Sequence, residues 1–379
     1  MTRVLMTALA TVTALALTTG TAVAAPADPG SASLTGGAAP AVERTAPLPS
    51  EVFTVTDRLA EQVAGVLADK AVRERAVAAT AAGDADLAAF ASGTTLDGAV
   101  RAANQDVLAA KALPLNGGSL LRVRLAEPSM RAALARGEAP LVAAAPTDDE
   151  PAPITAYDPR GGKVSLDPAK APKRPVLVVD VDVAKALPLG LQVTRDALAA
   201  RGLVAAKPSG AQVKAAGGYW ATKVNAVRLK DDKEPWIKGD AEIFSVVGGF
   251  GLDGKATVNI VQMPYLDNDG TTYYPNQLLV HYSAYKYNLA DVVMMEDDGD
   301  TNYLALAQAI ATALLTIIDA GVYIPLVNGI LSAMPNSWWT DDPDYVDSWY
   351  TLATTSSGHL NGAGGNGWME VSPYWVPEL

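Results

Sequence analysis

The stretch Val292-Val-Met-Met-Glu-Asp-Asp-Gly-Asp300 decides how the C-terminal part of this chain folds. Four apolar residues of a kind common in buried strands open it, and four acids around a glycine close it. The strongly apolar segment Tyr303–Ile318 follows, with polar residues at a spacing of four that is typical of a helix. A strand, an acidic loop and a helix in succession predict an α+β protein.

Further strands are predicted on both sides of this stretch. Their residues are β-branched or aromatic and roughly alternating, and they cover Ile243–Val247, Ala256–Met263, Gln277–Tyr285, Val346–Leu352 and Trp368–Val376. The helical segment and a second, shorter one up to about Ala333 interrupt them. We therefore predict a C-terminal antiparallel β-sandwich over residues 236–379, with a helical hairpin insertion at residues 302–334.

The chain before residue 236 has a different composition. Residues 1–24 combine a basic start, an apolar run and small residues ending at Ala24, which predicts a cleaved secretory signal peptide. Residues 25–50 are rich in Ala, Pro, Gly and Ser, which predicts a disordered leader. Apolar spacing predicts a helical unit over residues 51–118, with its first helix opening near Thr56. Short strands and Pro-rich connectors predict a small α/β segment and linker over residues 119–235.

The composition also restricts how the chain can be stabilised and which partners it can bind. The chain has no cysteine, so disulfides cannot stabilise it and a lipid-modified cysteine cannot anchor it. Its net charge of −12 argues against a nucleic-acid partner, because no basic stripe is present to neutralise phosphates. We do not expect the helical hairpin to insert into a membrane, since each half is shorter than a spanning helix.

Acids are concentrated in the C-terminal part. From Trp236 to Leu379 the chain has 17 Asp and Glu but only 3 Lys and Arg. Clustered carboxylates with few bases nearby repel one another unless a cation joins them or water screens them. Oxygen ligands without His or Cys favour calcium over a transition metal. Because strand ends of a two-sheet sandwich can meet at one pole, the sequence predicts a calcium site formed by Glu242, Asp297, Asp298, Asp300, Asp341 and Asp342.

The same acids have a second interpretation. Asp300 or Thr301 is placed to cap the following helix, where acids also suit the helix dipole. Asp341 and Asp342 can begin a turn at Pro343. Under this interpretation the carboxylates are solvated and hold no metal.

The order of motifs in the C-terminal part resembles that of calcium-dependent, C2-like sandwiches of secreted bacterial proteins. The motifs are Glu242-Ile-Phe-Ser-Val-Val, Val292-Val-Met-Met-Glu-Asp-Asp-Gly-Asp, Trp339-Thr-Asp-Asp and the closing Gly-Asn-Gly-Trp-Met-Glu-Val. The run from Met263-Pro-Tyr-Leu-Asp to Asp344-Tyr-Val-Asp-Ser-Trp-Tyr is similar to a secreted bacterial family, domain of unknown function 3103. The resemblance implies a secreted protein with bound calcium and no particular activity. The insertion between Asn302 and Pro335 departs from simple C2-like domains.

The strongest enzymatic signal is Val176-Leu-Val-Val-Asp-Val-Asp182. It resembles the first motif of haloacid-dehalogenase-type phosphatases, which implies Asp180 as the phosphoryl-accepting nucleophile, Asp182 as acid/base and magnesium beside them. The same residues also fit an alternating strand with two acids on its outward face. A glycosidase that uses two carboxylates is also open, although nothing singles out the pair.

The leading hypothesis is a non-enzymatic, calcium-stabilised binding or structural module of the cell exterior, with an extracellular ligand that the sequence does not identify. The alternative is a secreted hydrolase, either a magnesium-dependent phosphatase that uses Asp180 and Asp182 or a carboxylate-pair glycosidase.

Overall fold

The computed structural model describes residues 50–146, 153–205, 217–231, 236–297, 299–333 and 344–377. These residues belong to one compact unit, which spans Leu48–Leu379. The predicted signal peptide and almost all of the predicted leader lie outside the described residues. No helix in the described ranges is long and apolar enough to cross a membrane.

Helices form the first part of the described chain. They are α1 (Glu51–Val66), α2 (Lys70–Ala79), α3 (Leu87–Ala91) and α4 (Asp97–Ala110). The helix predicted to open near Thr56 begins at Glu51, because the Ser50 hydroxyl accepts a hydrogen bond from the amide of Phe53. Asp69 separates α1 from α2 by accepting from the amides of Ala71 and Val72. The predicted helical unit is therefore present, divided by side-chain caps.

A six-stranded mixed sheet follows in the chain. Its strands are β1 (Ala85–Asp86), β2 (Leu121–Leu125), β3 (Leu141–Ala144), β4 (Ile154–Tyr157), β5 (Lys163–Leu166) and β6 (Val176–Val181), in the order β1-β2-β6-β3-β4-β5. Only the β3–β6 pair among these is parallel. A 3-10 turn (Pro128–Met130) and α5 (Arg131–Ala135) connect β2 to β3. Every residue of β6 is buried, because packed side chains cover both faces of the sheet.

Helix α6 (Val183–Ala199) directly follows β6 and was not predicted. Pro188 and Gly190 lie inside it, and both residue types disfavour the interior of a helix. The Asp182 carboxylate caps its first turn by accepting from the amide of Lys185. Burial of an apolar face against the rest of the protein outweighs the two unfavourable residues.

Two four-stranded antiparallel sheets form the C-terminal part. One has the order β10-β7-β14-β13 and the other β12-β11-β8-β9. Their strands are β7 (Gly218–Leu229), β8 (Ile243–Phe250), β9 (Ala256–Gln262), β10 (Gln277–His281), β11 (Leu289–Glu296), β12 (Asp344–Ala353), β13 (Gly358–Asn361) and β14 (Gly367–Pro377). A 3-10 turn (Tyr282–Ala284) follows β10, and α7 (Tyr303–Thr316) and α8 (Val327–Ala333) stand between β11 and β12.

Side chains from both antiparallel sheets share one hydrophobic core. Val227 and Met369 from one sheet and Val292 and Trp349 from the other belong to it. The opposite face of the β12-β11-β8-β9 sheet packs into a larger core with α1, α4, α6 and α7. The α+β class is confirmed. The predicted strand Gln277–Tyr285 ends at His281, directly before the 3-10 turn, and β13 was not predicted.

Strand β7 was not predicted. It lies before residue 236, in the segment predicted as small α/β segment and linker, yet it pairs with β10 on one side and β14 on the other. The domain boundaries drawn from the sequence stay predictions.

A candidate site at a buried charge cluster

A cavity of about 20 Å³ lies where β3 and β6 end and where α1 and α6 begin. Its charged lining residues are Arg122, Asp180, Lys238, Glu242 and Asp297, and we call it the charged cavity. The carboxyl ends of parallel strands in open sheets are frequent places for ligands. A space of this volume holds about one water molecule or one small ion, so the cavity has no room for an organic substrate.

Asp180 is neutralised by two arginines of strand β2. Its Oδ1 accepts from Arg122 Nε at 2.7 Å, and its Oδ2 accepts from Arg124 Nε at 2.7 Å. Arg122 also donates to the exposed Asp84 at 2.9 Å. Burial opposes the charge of Arg122, but the carboxylates of Asp180 and Asp84 outweigh that burial and raise the pKa of Arg122 above its ordinary value. Asp180 is 6% exposed, so the interpretation of β6 as a strand with two outward acids is wrong for this residue.

Asp182 serves the start of α6 instead of pairing with Asp180. Its Oδ1 accepts from the amide of Lys185 at 3.2 Å, and its Oδ2 lies 2.6 Å from Lys185 Nζ. The two acids of the phosphatase-like motif therefore have separate sets of partners. Both are engaged in contacts that hold the backbone and neighbouring side chains.

Glu242 and Asp297, two of the predicted calcium ligands, line the same cavity. The amide of Asp297 donates to the carbonyl of Glu242 at 3.3 Å, because the residue after β11 continues beside the residue before β8. Burial raises the pKa of Glu242 to about 8, with Arg122 opposing and the carboxylates of Asp297 and Asp180 adding to the shift. Burial therefore disfavours the charged form of the Glu242 carboxyl.

Asp297 is fully buried and accepts several hydrogen bonds from its own loop. The amide of Gly299 and the hydroxyl of Thr301 each donate to Oδ1 at 3.0 Å, and the Tyr303 hydroxyl donates to Oδ2. The buried ammonium of Lys111 lies 3.7 Å from Oδ1 and donates to the Gly299 carbonyl at 2.7 Å. A base from the helical part of the chain thus balances an acid that stands 186 residues later.

Of the remaining predicted ligands, Asp300 does not line the cavity. Asp300 lies partly buried in the loop between β11 and α7, and Asp298, Asp341 and Asp342 lie outside the described residues. Within the described ranges, no group of three or more His, Cys, Asp or Glu side chains is arranged to hold a metal ion. The alternative that Asp300 or Thr301 caps the helix is wrong, because Asn302 accepts from the amide of Ala305 at 3.0 Å and is the cap.

An open cleft of about 240 Å³ lies on the other side of Arg122. Arg122, Arg124, Arg131, Asp84 and Asp240 line it. Arg131 donates to the Ala81 carbonyl at 2.6 Å, and Arg124 donates to the carbonyls of residues 237 and 238. The arginines of this cleft are therefore tied into the protein and fix the geometry of β2 and the segment before β8.

Two buried acids of the C-terminal sheets were missed by sequence reasoning. Asp291 in β11 accepts from the amides of Leu326 at 2.5 Å and Thr351 at 2.6 Å. Asp347 in β12 accepts from the amides of Gly364 and Gly367, each at 2.7 Å. Each carboxylate accepts hydrogen bonds from backbone amides that would otherwise lack a partner. Nothing in the local sequence sets these two acids apart from exposed ones.

Comparison with known families gives one match for this chain. Residues 57–378 match the family described as "Protein of unknown function (DUF3103)". The chain belongs to this family. No curated protein and no solved structure matches it. Membership confirms the family resemblance seen in the sequence and brings no activity with it.

Proposed function

We propose that this family member is a non-enzymatic binding or structural module that works outside the cell. The observation that carries the proposal is the state of Asp180, the best candidate nucleophile in the sequence. Both of its oxygens accept hydrogen bonds from arginines, and the cavity beside it holds about 20 Å³. A nucleophile has to approach phosphorus from a free lone pair, with space for the phosphoryl group. Arginines hold both oxygens of Asp180, and the cavity has no space for the phosphoryl group, so the position of Asp180 favours a structural role.

The test is an assay of the chain from Ala25 onward with p-nitrophenyl phosphate and magnesium. We expect no more phosphate release than from the Asp182→Asn variant, which keeps a residue able to cap α6. Magnesium-dependent turnover that disappears in this variant, while its melting temperature is unchanged, would move the phosphatase alternative ahead of a binding module.

We also propose calcium as the cation of the acidic region. Glu242 and Asp297 line one small cavity, and Asp298 and Asp300 follow in the same loop. Arg122 and Lys238 line the cavity too, so a calcium ion needs further acids to outweigh these bases. Asp341 and Asp342 are the acids that we propose for this purpose. Calcium would bring together carboxylates that otherwise repel, and its binding would be coupled to folding.

Thermal unfolding in EDTA and then in millimolar calcium tests this part of the proposal. Stabilisation of about 3–4 kcal/mol is expected once free calcium exceeds its dissociation constant by about a hundred- to a thousandfold. The pair of changes Asp298→Asn with Asp342→Asn should remove the response, whereas Asp267→Asn with Asp269→Asn, in a turn elsewhere, should keep it. A melting temperature that calcium does not change would end the calcium proposal and leave the module proposal standing.

Export is the third part of the proposal. It rests on the basic, apolar and small-residue segments of residues 1–24. Expression of the whole chain in a bacterial host should place the protein outside the cytoplasm with Ala25 as its first residue, which N-terminal sequencing measures. Recovery of a cytoplasmic chain that retains Met1 would contradict it.

A further inference from the structure

An open groove of about 630 Å³ lies between three segments of the fold. Residues 201–203 after α6 form one side, and the β8–β9 turn at residues 252–256 forms another. The end of α7 and the residues after it, 314–319, form the third, with Lys286 beside them. A backbone bridge between Lys255 and Ile318 joins the second and third segments. This volume is typical of sites for small organic ligands.

Three of the aliphatic side chains that line the groove are exposed to water. Leu252 is 56% exposed, Leu315 is 63% exposed and Ile318 is 78% exposed. Single exposed leucines are ordinary on a protein surface, but three that line one groove form an apolar surface that a ligand can cover. The groove therefore favours a ligand with a hydrocarbon part.

The charges of the groove favour an anion. Arg201, Lys255 and Lys286 line it together with Asp253 and Asp319, which leaves one positive charge in a chain of net charge −12. Lys286 is engaged by Asp319 at 2.6 Å. The pair between Lys255 and Asp253 is 3.6 Å apart with both groups more than half exposed, so it is weak.

Arg201 and Lys255 both line the groove. A Cβ atom built on Gly202, the neighbour of Arg201, would lie 3.9 Å from Lys255 Nζ. Within the part of the chain that the structure describes, no carboxylate forms an ion pair with Arg201. An arginine without an ion-pair partner and a lysine in a weak ion pair can both donate hydrogen bonds to one carboxylate or sulfate group.

We propose that this groove binds a single-chain amphiphile, with an anionic head group at Arg201 and Lys255 and an alkyl tail on Leu252, Leu315 and Ile318. This inference names a ligand class for the binding module, and it does not depend on calcium. The groove and the charged cavity have no lining residue in common among those that the structure describes. Failure of the amphiphile proposal therefore leaves the calcium proposal unaffected, and failure of the calcium proposal leaves the amphiphile proposal unaffected.

Isothermal titration calorimetry of the chain from Ala25 onward tests the proposal with octanoate, decanoate and the uncharged 1-octanol. We expect one binding site per chain and an affinity that rises about two- to fourfold with each added methylene. Octanoate should bind at least about tenfold more tightly than 1-octanol, because a charge-assisted hydrogen bond is lost with the head group.

Matched variants locate the site. Arg201→Gln should weaken decanoate binding about tenfold, whereas Arg136→Gln, at an exposed arginine elsewhere, should leave it unchanged. Leu315→Ser should weaken binding several-fold, whereas Leu115→Ser should not, although Leu115 is also 61% exposed. Circular dichroism should show that all four variants fold, because the changed side chains are exposed.

Three outcomes would overturn the proposal. The first is the absence of saturable heat with decanoate. The second is an equal loss of decanoate affinity in the groove variants and in their controls, which would place the binding site elsewhere. The third is binding only to vesicles of anionic phosphatidylglycerol in a flotation assay, which would make the groove a membrane contact instead of a site for a free amphiphile.

Discussion

At the scale of single residues, the protein uses buried carboxylates mainly as hydrogen-bond acceptors for its own backbone and arginines. Asp180, Asp291, Asp297 and Asp347 are all buried, and each has several donors. A buried charge is tolerated only when it is paired or hydrogen-bonded in this way. We therefore expect substitution of any of these four acids to destabilise the protein.

Asp180→Asn should lower the free energy of unfolding by about 3–5 kcal/mol, because it leaves Arg122 and Arg124 without their shared carboxylate in a buried place. Urea unfolding followed by circular dichroism measures the change. Asp182→Asn is the control, with an expected loss of less than about 1 kcal/mol, since Asn also caps helices. Equal effects of the two changes would contradict the assignment of Asp180 as the centre of the arginine pairs.

Asp158 makes the free energy of unfolding depend on pH in acidic solution. Hydrogen bonds from Arg174, at 2.6 Å, and from the amide of Arg160 hold the pKa of Asp158 well below its usual range. Because the folded pKa is lower than the unfolded one, the stabilisation is present above the unfolded pKa of about 4 and is lost as the pH falls below it. Asp158→Asn should therefore flatten the dependence of unfolding free energy on pH below about pH 4, measured by urea titrations. The same change at exposed Asp106 should leave the slope as it is.

At the scale of elements, the contact between α6 and α7 connects the mixed sheet to the C-terminal part. Gly190 in α6 lies against the ring of Tyr303, the first residue of α7. Thr194, one turn later, donates to the Tyr303 carbonyl at 3.2 Å. Tyr303 also donates to Asp297, so the close approach of the two helices positions the charged cavity.

Gly190→Ala should destabilise the protein by about 1–3 kcal/mol, because the added methyl group would overlap the Tyr303 ring. The better helix propensity of Ala offsets part of this cost. Gly65→Ala in α1 is the matched control, since nothing lies within 4 Å of the added group there, and we expect it to stabilise by about 0.5–1 kcal/mol. Thermal and urea unfolding of both variants compare them. A stabilising Gly190→Ala would mean that α6 and α7 do not approach closely.

Sequence patterns identified the elements whose burial follows a simple period. Strand β9 and helix α7 are examples, because their apolar residues alternate or recur at helical spacing. Helix α6 was missed because Pro188 and Gly190 interrupt it, and its stability comes from packing on α7. The candidate site was found only in part. Glu242 and Asp297 stood out as acids, but the partner Lys111 comes from a helix end far away in the chain, which no local pattern indicates.

At the scale of the whole molecule, opposite charges from distant parts of the chain meet inside the fold. The segment from Trp236 onward has a net charge of −14, and the rest has +2. The Lys111 ammonium lies 3.7 Å from Asp297 Oδ1, and Arg122 opposes the effect of burial on the pKa of Glu242. Protein bases thus supply part of the compensation for which the sequence predicted calcium.

This arrangement predicts that residues 236–379 do not fold as an independent domain. The fragment lacks β7, whose loss leaves β10 and β14 without their shared neighbour, and it lacks Lys111, which leaves buried Asp297 without its base. We expect near-ultraviolet circular dichroism to show that the fragment of residues 236–379 is molten or unfolded. A longer fragment, residues 217–379, regains β7, and we expect that it still unfolds without a cooperative transition. The chain from Ala25 onward should show one calorimetric transition whose enthalpy equals the van't Hoff value. Cooperative unfolding of the 217–379 fragment alone would instead support a separate C-terminal domain and reduce the ion pair of Lys111 to a minor contact between two domains.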